Sequence, residues 1–159
     1  TLTRTGFTSP DGWSCRPFDE LTARDVHDLL RLRAAVFVVE QDCVFQDPDD
    51  LDFDAHHFLF RERGRLVAHQ RCLPPGTPFE ESSIGRIVVD PRQRGRDLGR
   101  ELVRRGIDYN FRTWPGHAIR IGAQSRLTAF YESMGFVSCN DHYLEDGIEH
   151  VHMLLACPR

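Results

Sequence analysis

The chain has 159 residues, of which 40% are hydrophobic and 28% charged, the composition of one globular domain with a sizeable core. A net charge of −4 and a pI of about 6.0 give no support to a nucleic-acid partner, and no apolar run reaches the length of a membrane span. Five widely spaced cysteines without a CxxC pair give no support to a zinc ribbon or a disulfide framework; with no signal-peptide pattern at the start, a reduced, cytoplasmic setting is expected.

Residues 1–13 are polar and carry Gly and Pro, and read as a loose lead-in to a single domain over residues 14–159. Ser14–Phe18 is a candidate first strand. Thr22 and Asp25 have the spacing of a weaker capping box, and Val26, Leu29, Leu30, Val36 and Phe37 follow at helical intervals. An acidic, Pro-containing loop comes next, QDCVFQDPDDLDFD. The runs His57–Arg63 and Arg65–Leu73 flank Gly64 and predict a hairpin. After the PPGTP break, Ser83–Val89 is almost continuously apolar at its end and is expected to be a central strand. Leu98, Leu102, Val103, Ile107 and Phe111 mark an amphipathic helix that Trp114–Pro115–Gly116 stops. Ala118–Ala123 alternates as a strand. Leu127, Phe130, Tyr131 and Met134 fit a second helical stripe, with Gly135 as its C-cap. FVSCN and HVHMLLA are expected to close the chain as a hairpin around Glu145–Gly147. Strands in runs with interspersed helices predict a mixed α/β class, with helices packed on a sheet.

The stretch RQRGRDLGR, Arg92 to Arg100, sits between the central strand and a helix. Glycines let backbone approach an anion, and first-turn N–H groups at a helix N-terminus lack intrahelical partners. Arg92, Arg94, Arg96 and Arg100 add donors and are expected to keep the loop positive. Composition alone leaves two readings open, an anion site and a solvated charged turn. Asp97 sharpens the question. As N-cap it would compete with a bound phosphate; turned outward, it would pair with Arg96 or Arg100 and tolerate an unusual backbone angle. We expect the second arrangement.

VVDPRQRGRDLGRELV resembles the acetyl-CoA signature Q/R-x-x-G-x-G/A of the GNAT N-acetyltransferases. Arg94, Gly95, Arg96, Asp97, Leu98 and Gly99 occupy the six positions, and Asp97 stands where glycine is usual. FYESMGF resembles the family's helix end. With LRAAVFVVEQDC, IGRIVV, AQSRLTAFYESMGF and DGIEHVHM, the likeness is to the ElaA-like branch and covers the chain from about Ser14. It implies a central mixed, mostly antiparallel sheet flanked by helices, the GNAT acyl-CoA N-acyltransferase fold. It further implies acetyl transfer from acetyl-CoA to a small-molecule or peptide amine by direct attack, with no metal or membrane needed, and is compatible with a homodimer.

The resemblance assigns the pyrophosphate to Arg94, Gly95, Arg96, Asp97, Leu98, Gly99 and Arg100, and contacts with the pantetheine and carbonyl to Ile87, Val88 and Val89. Tyr131 matches the family tyrosine that protonates the departing thiolate; its place on an apolar stripe would otherwise make it a core residue. Glu40, His57 and His150 are candidate general bases, because the resemblance brings their segments to the acceptor side. Arg71 and Arg86, on adjacent strands, need carboxylate partners, which the acidic loop supplies; a structural ion network is expected first and an acceptor site second. Asp50, Asp52 and Asp54 imitate a calcium loop, but Ala55 and Arg61 occupy positions that require Gly and Glu. His150 and His152, with His56 or His69, are a weaker metal candidate. Two other functions compete: an acyl-homoserine-lactone synthase-like acyltransferase, whose likeness rests on LRAAVF, the acidic loop, RCLPP and GRIVV, and a non-catalytic CoA-binding or interaction module, which Asp97 keeps open.

Overall fold

The computed structural model describes residues 8–159. In chain order the elements are β1 (Gly12–Pro17), α1 (Ala23–Arg33), α2 (Leu51–Asp54), β2 (His56–Glu62), β3 (Arg65–Leu73), β4 (Ser82–Val89), α3 (Leu98–Thr113), β5 (Ile119–Gln124), α4 (Thr128–Glu132), β6 (Val137–Ser138), β7 (Tyr143–Glu145) and β8 (Ile148–Leu155). They form one sheet in the order β1-β2-β3-β4-β5-β8-β6, with β7 also pairing β8. Among the described residues only β4 and β5 run parallel; the other pairs are antiparallel. This is the mixed, mostly antiparallel sheet expected. No helix among the described residues is long and apolar enough to cross a membrane.

Local chemistry explains most boundaries. The capping box at Thr22 and Asp25 is complete in both directions, at 3.1 and 3.4 Å. Asp25 does more than cap: it accepts from the Ser9 backbone and hydroxyl, and from the fully buried Arg61 at 2.7 Å. The lead-in is therefore shorter than expected, because Ser9 is buried in this cluster and Gly12 and Trp13 belong to β1. Residues 1–7 of that segment lie outside the described residues. Past Arg33 the helix widens into π geometry over Ala34–Glu40, where Gln41 donates to Val36. β-branched Val36, Val38 and Val39 crowd a regular helix, and such widenings recur at functional sites. Arg63 and Gly64, both at positive φ, make the tight β2–β3 turn.

The close of the chain differs from expectation. The turn at Asp146 and Gly147 joins β7 to β8, and FVSCN contributes only Val137 and Ser138, paired with Leu154 and Met153. The chain turns at Asn140, φ 56°, and returns to set Tyr143 opposite His150.

The central strand β4 governs the middle of the molecule. Arg86 and Ile87 both stand opposite Gln70 of β3, a β-bulge with Arg86 at φ 47°. β4 pairs with β5 only at Ser82–Ile119 and Ser83–Arg120. Beyond that point the strands part. Asn110 of α3, itself buried, fixes the parting by donating to the Ser83 carbonyl at 3.0 Å and the Ser82 hydroxyl at 3.2 Å. Ile87 and Val89 pack with the main core beneath α3, whereas Val88 packs with Leu32 and Val36 of the α1 segment, as strand alternation requires.

α3 lies very close to β3. The buried Gln70 amide donates to the Leu102 carbonyl at 2.7 Å, and a Cβ on Gly106 would stand 2.5 Å from the Gln70 nitrogen. Gly106→Ala gains helix propensity but overpacks this contact. We expect a net loss of about 1–3 kcal/mol, read as a lower urea midpoint.

His57 and His69 are buried and stacked, with ring centroids 5.4 Å apart. Burial pushes both imidazoles below the ordinary value of 6.5, and for His69 the neighbouring His57 and Arg33 add to it. The unfolded chain therefore takes up protons near pH 6.5 that the fold resists. Stability falls as pH drops below about 6.5, before the carboxylates titrate near 4. The melting temperature should decline between pH 7 and pH 5; a flat profile over that range would contradict neutral buried imidazoles.

Candidate active site

The parting of β4 and β5 opens a cleft of about 940 Å³. Past Ser83 the edge of β4 facing β5 has no sheet partner among the described residues, so Gly85 to Val89 present a bare strand edge to the cleft. Ile87, Val88 and Val89 all line it.

At one end stands the arginine loop. Gly95 has φ 88° and Asp97 φ 60°, ψ 24°, so the backbone before α3 turns through two left-handed positions. The second explains the usual glycine: an L-residue there carries strain, which Asp tolerates better than most. The Asp97 carboxylate makes no capping hydrogen bond, is 79% exposed, and lies 3.7 Å from Arg100. This is the outward arrangement, and it leaves the first-turn N–H groups of α3 uncapped by that side chain. Gly99 has open space where a side chain would begin.

The loop is less positive than its arginines imply. Arg92 pairs with Asp90 at 3.0 Å, Arg94 with Glu40 at 2.8 Å, and Arg96 with Glu62 at 2.7 Å. Arg100, besides Asp97, donates to the Ser133 hydroxyl and lies over the Phe130 ring. Each of the four thus has an acidic neighbour. Two of these carboxylates, Glu40 and Glu62, lie far away in the chain, which is why the local sequence reads as more basic than the folded loop is. The pairs are about half exposed, and exposed pairs are weak enough to exchange for a better anion.

Tyr131, on α4, lines the cleft while being 6% exposed, packed against Phe130 and Phe136. Burial pushes its phenol up to about 12, only partly offset by Arg126. It therefore holds its proton through the neutral range and can donate it.

The candidate bases separate. Glu40, at the end of the π segment, lines the cleft but is tied to Arg94. His150 of β8 lines it as well; its Nδ1 is 2.7 Å from the Ile148 carbonyl and its Nε2 3.8 Å from Glu145. His57 is not brought to the cleft. It is 1% exposed on β2, with Nε2 bonded to the Asp52 carbonyl at 2.9 Å.

Arg71 and Arg86 reach the cleft wall, yet both are held in a buried network with Arg33. Arg33 meets Asp47 at 2.7 Å and Asp52 at 2.8 Å; Arg71 meets Asp49 and Asp52; Arg86 meets Asp47 at 2.8 Å. Burial works against the Asp52 carboxylate, but Arg33 and then Arg71 outweigh it and hold its pKa well below the usual range. The network fastens the acidic loop and α1 to the sheet, and of the three aspartates that imitated a calcium loop it takes up Asp52, while Asp50 and Asp54 stay exposed. Of the histidines weighed for metal, His69 is buried with its Nδ1 at the Phe58 carbonyl, His56 bonds Tyr109, and His152 bonds Asp141.

Sequence reasoning missed Tyr143, Gln124 and Phe79 on the cleft wall. One signal was readable. Gly122 interrupts a strand, and a Cβ there would stand 2.5 Å from the Tyr143 hydroxyl, so the glycine marks the close approach of that ring.

Residues 36–157 match the acetyltransferase (GNAT) domain. ElaA of Escherichia coli K12 is 38% identical over 143 residues, covering 89% of this chain and 94% of its own. A Synechocystis protein of the UPF0039 group is 37% identical over 147 residues, covering 92% and 96%. Among solved structures, an acyl-CoA N-acyltransferase from Pseudomonas aeruginosa superimposes with a TM-score of 0.87 at 38% identity, over 91% of this chain and 98% of that one. The acyl-homoserine-lactone synthase LasI shares the fold at a TM-score of 0.73 and 15% identity, over 89% and 87%. The parted central strands, the glycine-bearing loop before α3 and these likenesses together make the chain a member of the GNAT acetyltransferase family, an ElaA-like acyltransferase.

Proposed function

We propose that the chain transfers the acetyl group of acetyl-CoA to an amine. The observation that carries this reading is that one cleft joins three things: a bare strand edge, an uncapped helix N-terminus behind two left-handed turns, and a protonated tyrosine. The residues present fit an acyl-CoA. An amide-bearing arm can pair with the free edge of β4 as a strand would, and the α3 N-terminus with Gly95 and Gly99 suits a pyrophosphate. Arg94, Arg96 and Arg100 would exchange carboxylate partners for phosphate oxygens. The acyl-CoA supplies the activated carbonyl; the chain orients it, offers β4 N–H groups to the developing oxyanion, and gives the Tyr131 proton to the departing sulfur.

The lactone-synthase reading, made on LRAAVF, the acidic loop, RCLPP and GRIVV, gains from LasI a likeness of fold at 15% identity and nothing about the reaction. The non-catalytic reading rested on Asp97, whose carboxylate turns away from the helix N-terminus.

Calorimetric titration of the CoA-free protein with acetyl-CoA should give micromolar binding that weakens only moderately with salt, because each loop arginine already has an acidic neighbour. Absence of binding at any salt would sink the proposal. Asp97→Gly removes both a strained left-handed Asp and a nearby negative charge. It should tighten binding roughly three- to tenfold, about 1 kcal/mol; unchanged or weaker binding would mean that the carboxylate does not oppose the anion.

Tyr131→Phe should lower kcat roughly 10²-fold while leaving acetyl-CoA affinity within about twofold. Equal loss of affinity and turnover would make Tyr131 a packing residue only. Because burial raises its phenol to about 12, no alkaline fall in rate from this group is expected below that pH.

A further inference from the structure

The three bases anticipated from the sequence are each compromised: Glu40 is paired, His57 is away from the cleft, and both nitrogens of His150 face acceptors. His152 is different. It lies on β8 opposite Gly122 of β5, on the same face of the strand as His150, and lines the cleft. Its Nδ1 is 2.6 Å from Asp141 Oδ2, and its backbone N–H donates to Asp141 Oδ1 at 3.0 Å, so one carboxylate grips both the ring and the strand. A carboxylate only accepts, so Nδ1 carries the hydrogen. Nε2 is then the basic nitrogen, and it has no hydrogen-bond partner among the described residues. The ring is held from two sides. Tyr143 lies across it with centroids 4.7 Å apart, and Phe79 meets it edge to face at 5.4 Å. Gly122 leaves the room in which the Tyr143 ring stands.

We propose that Asp141 and His152 form the general-base dyad of this acyltransferase, with Tyr143 and Phe79 shaping the pocket for a primary ammonium acceptor. The inference rests on the acetyl-transfer reading above. His152 Nε2 takes one proton from the ammonium. The freed nitrogen lone pair forms the C–N bond to the thioester carbonyl carbon, the C–S bond breaks, and its electron pair goes to sulfur. Of the two protons that the nitrogen sheds, one leaves through His152 to solvent and the other is balanced by the proton that sulfur receives through Tyr131. Asp141 is the positioning residue: it fixes the tautomer and steadies the imidazolium, as a carboxylate behind a histidine does in other base dyads. The charged and titratable groups around His152 are Asp141 and Tyr143 from the segment before β8, His150 on its own strand, and Glu81, which is paired with Arg120 of β5 at 3.1 Å. The acids dominate, which suits a cation at this end of the cleft.

The test has two arms. In the first, acetyl-CoA turnover is followed against tyramine, spermidine and lysine methyl ester as primary-amine probes, between pH 5.5 and 9. With any probe the wild type turns over, His152→Gln should lower kcat roughly 10²- to 10⁴-fold. It should also abolish the fall in kcat/KM at acid pH where an imidazole gains a proton, and leave acetyl-CoA affinity unchanged. Asp141→Asn should lose roughly tenfold or more through loss of tautomer control. A His152→Gln enzyme within about twofold of wild type, or with the same acidic limb, overturns the proposal while leaving acetyl transfer intact. The second arm needs no acceptor. Nitrogen NMR of the wild-type protein should show the His152 ring with its hydrogen on Nδ1, and Asp141→Asn should disturb that tautomer. A ring with its hydrogen on Nε2 overturns the dyad whatever the activity. If no probe is acetylated although acetyl-CoA binds, the acetyl-transfer reading is what has failed, and the NMR arm still decides the dyad.

Discussion

A sheet that stops pairing along its own central strand pays for it in unsatisfied backbone, and the rest of this molecule is arranged around that cost. Beyond Ser83 the N–H and C=O groups of β4 that face β5 have no ladder to join. Buried polar backbone of this kind is rarely left without a partner. The fold keeps the defect in place with the Arg86 bulge, which turns the strand, and with Asn110, which holds the last paired residues from the helix side. The cleft, the loop at its end and the tyrosine on its wall all follow from where those two strands separate.

The opposite wall is held by charge. Three arginines and three aspartates close on each other beneath the acidic loop, largely out of water. Such networks contribute little net stability against a well-packed apolar alternative, but removing one member strands the others at several kcal/mol. Their value here is positional. They set the loop, the π-helical turn and Glu40 at the rim of the cleft, where a purely apolar contact would tolerate sliding.

Much of this was legible in the sequence. Periodicity found α1, α3 and the α4 stripe, and Gly64 and Gly135 marked their turns correctly, because these signals are local. The signature around Arg94–Gly99 located the loop, and the puzzle of Asp97 was resolved by one backbone angle. What was not legible depended on distance in the chain. The carboxylates that neutralise the loop arginines come from Glu40 and Glu62, far from the arginines they meet. His57 and His150 looked equivalent and both are buried, and only the places of β2 and β8 in the sheet put one of them on the cleft wall. The Asp141–His152 contact depends on the turn at Asn140 that brings β7 back onto β8, and no periodicity announces that turn.

Gly106 carries no chemistry, yet it sets a distance on which the chemistry depends. With no side chain there, α3 rests directly on the Gln70 amide. A helix seated that closely has one allowed translation along its axis and one rotation about it. Asp97 lies nine residues earlier, roughly 13 Å up the helix at 1.5 Å per residue. The uncapped N–H groups at that end are therefore aimed by a contact between the middle of α3 and β3, several turns away from where an anion would sit. The address of the site is thus written partly in the middle of a helix, at a position whose only property is being small.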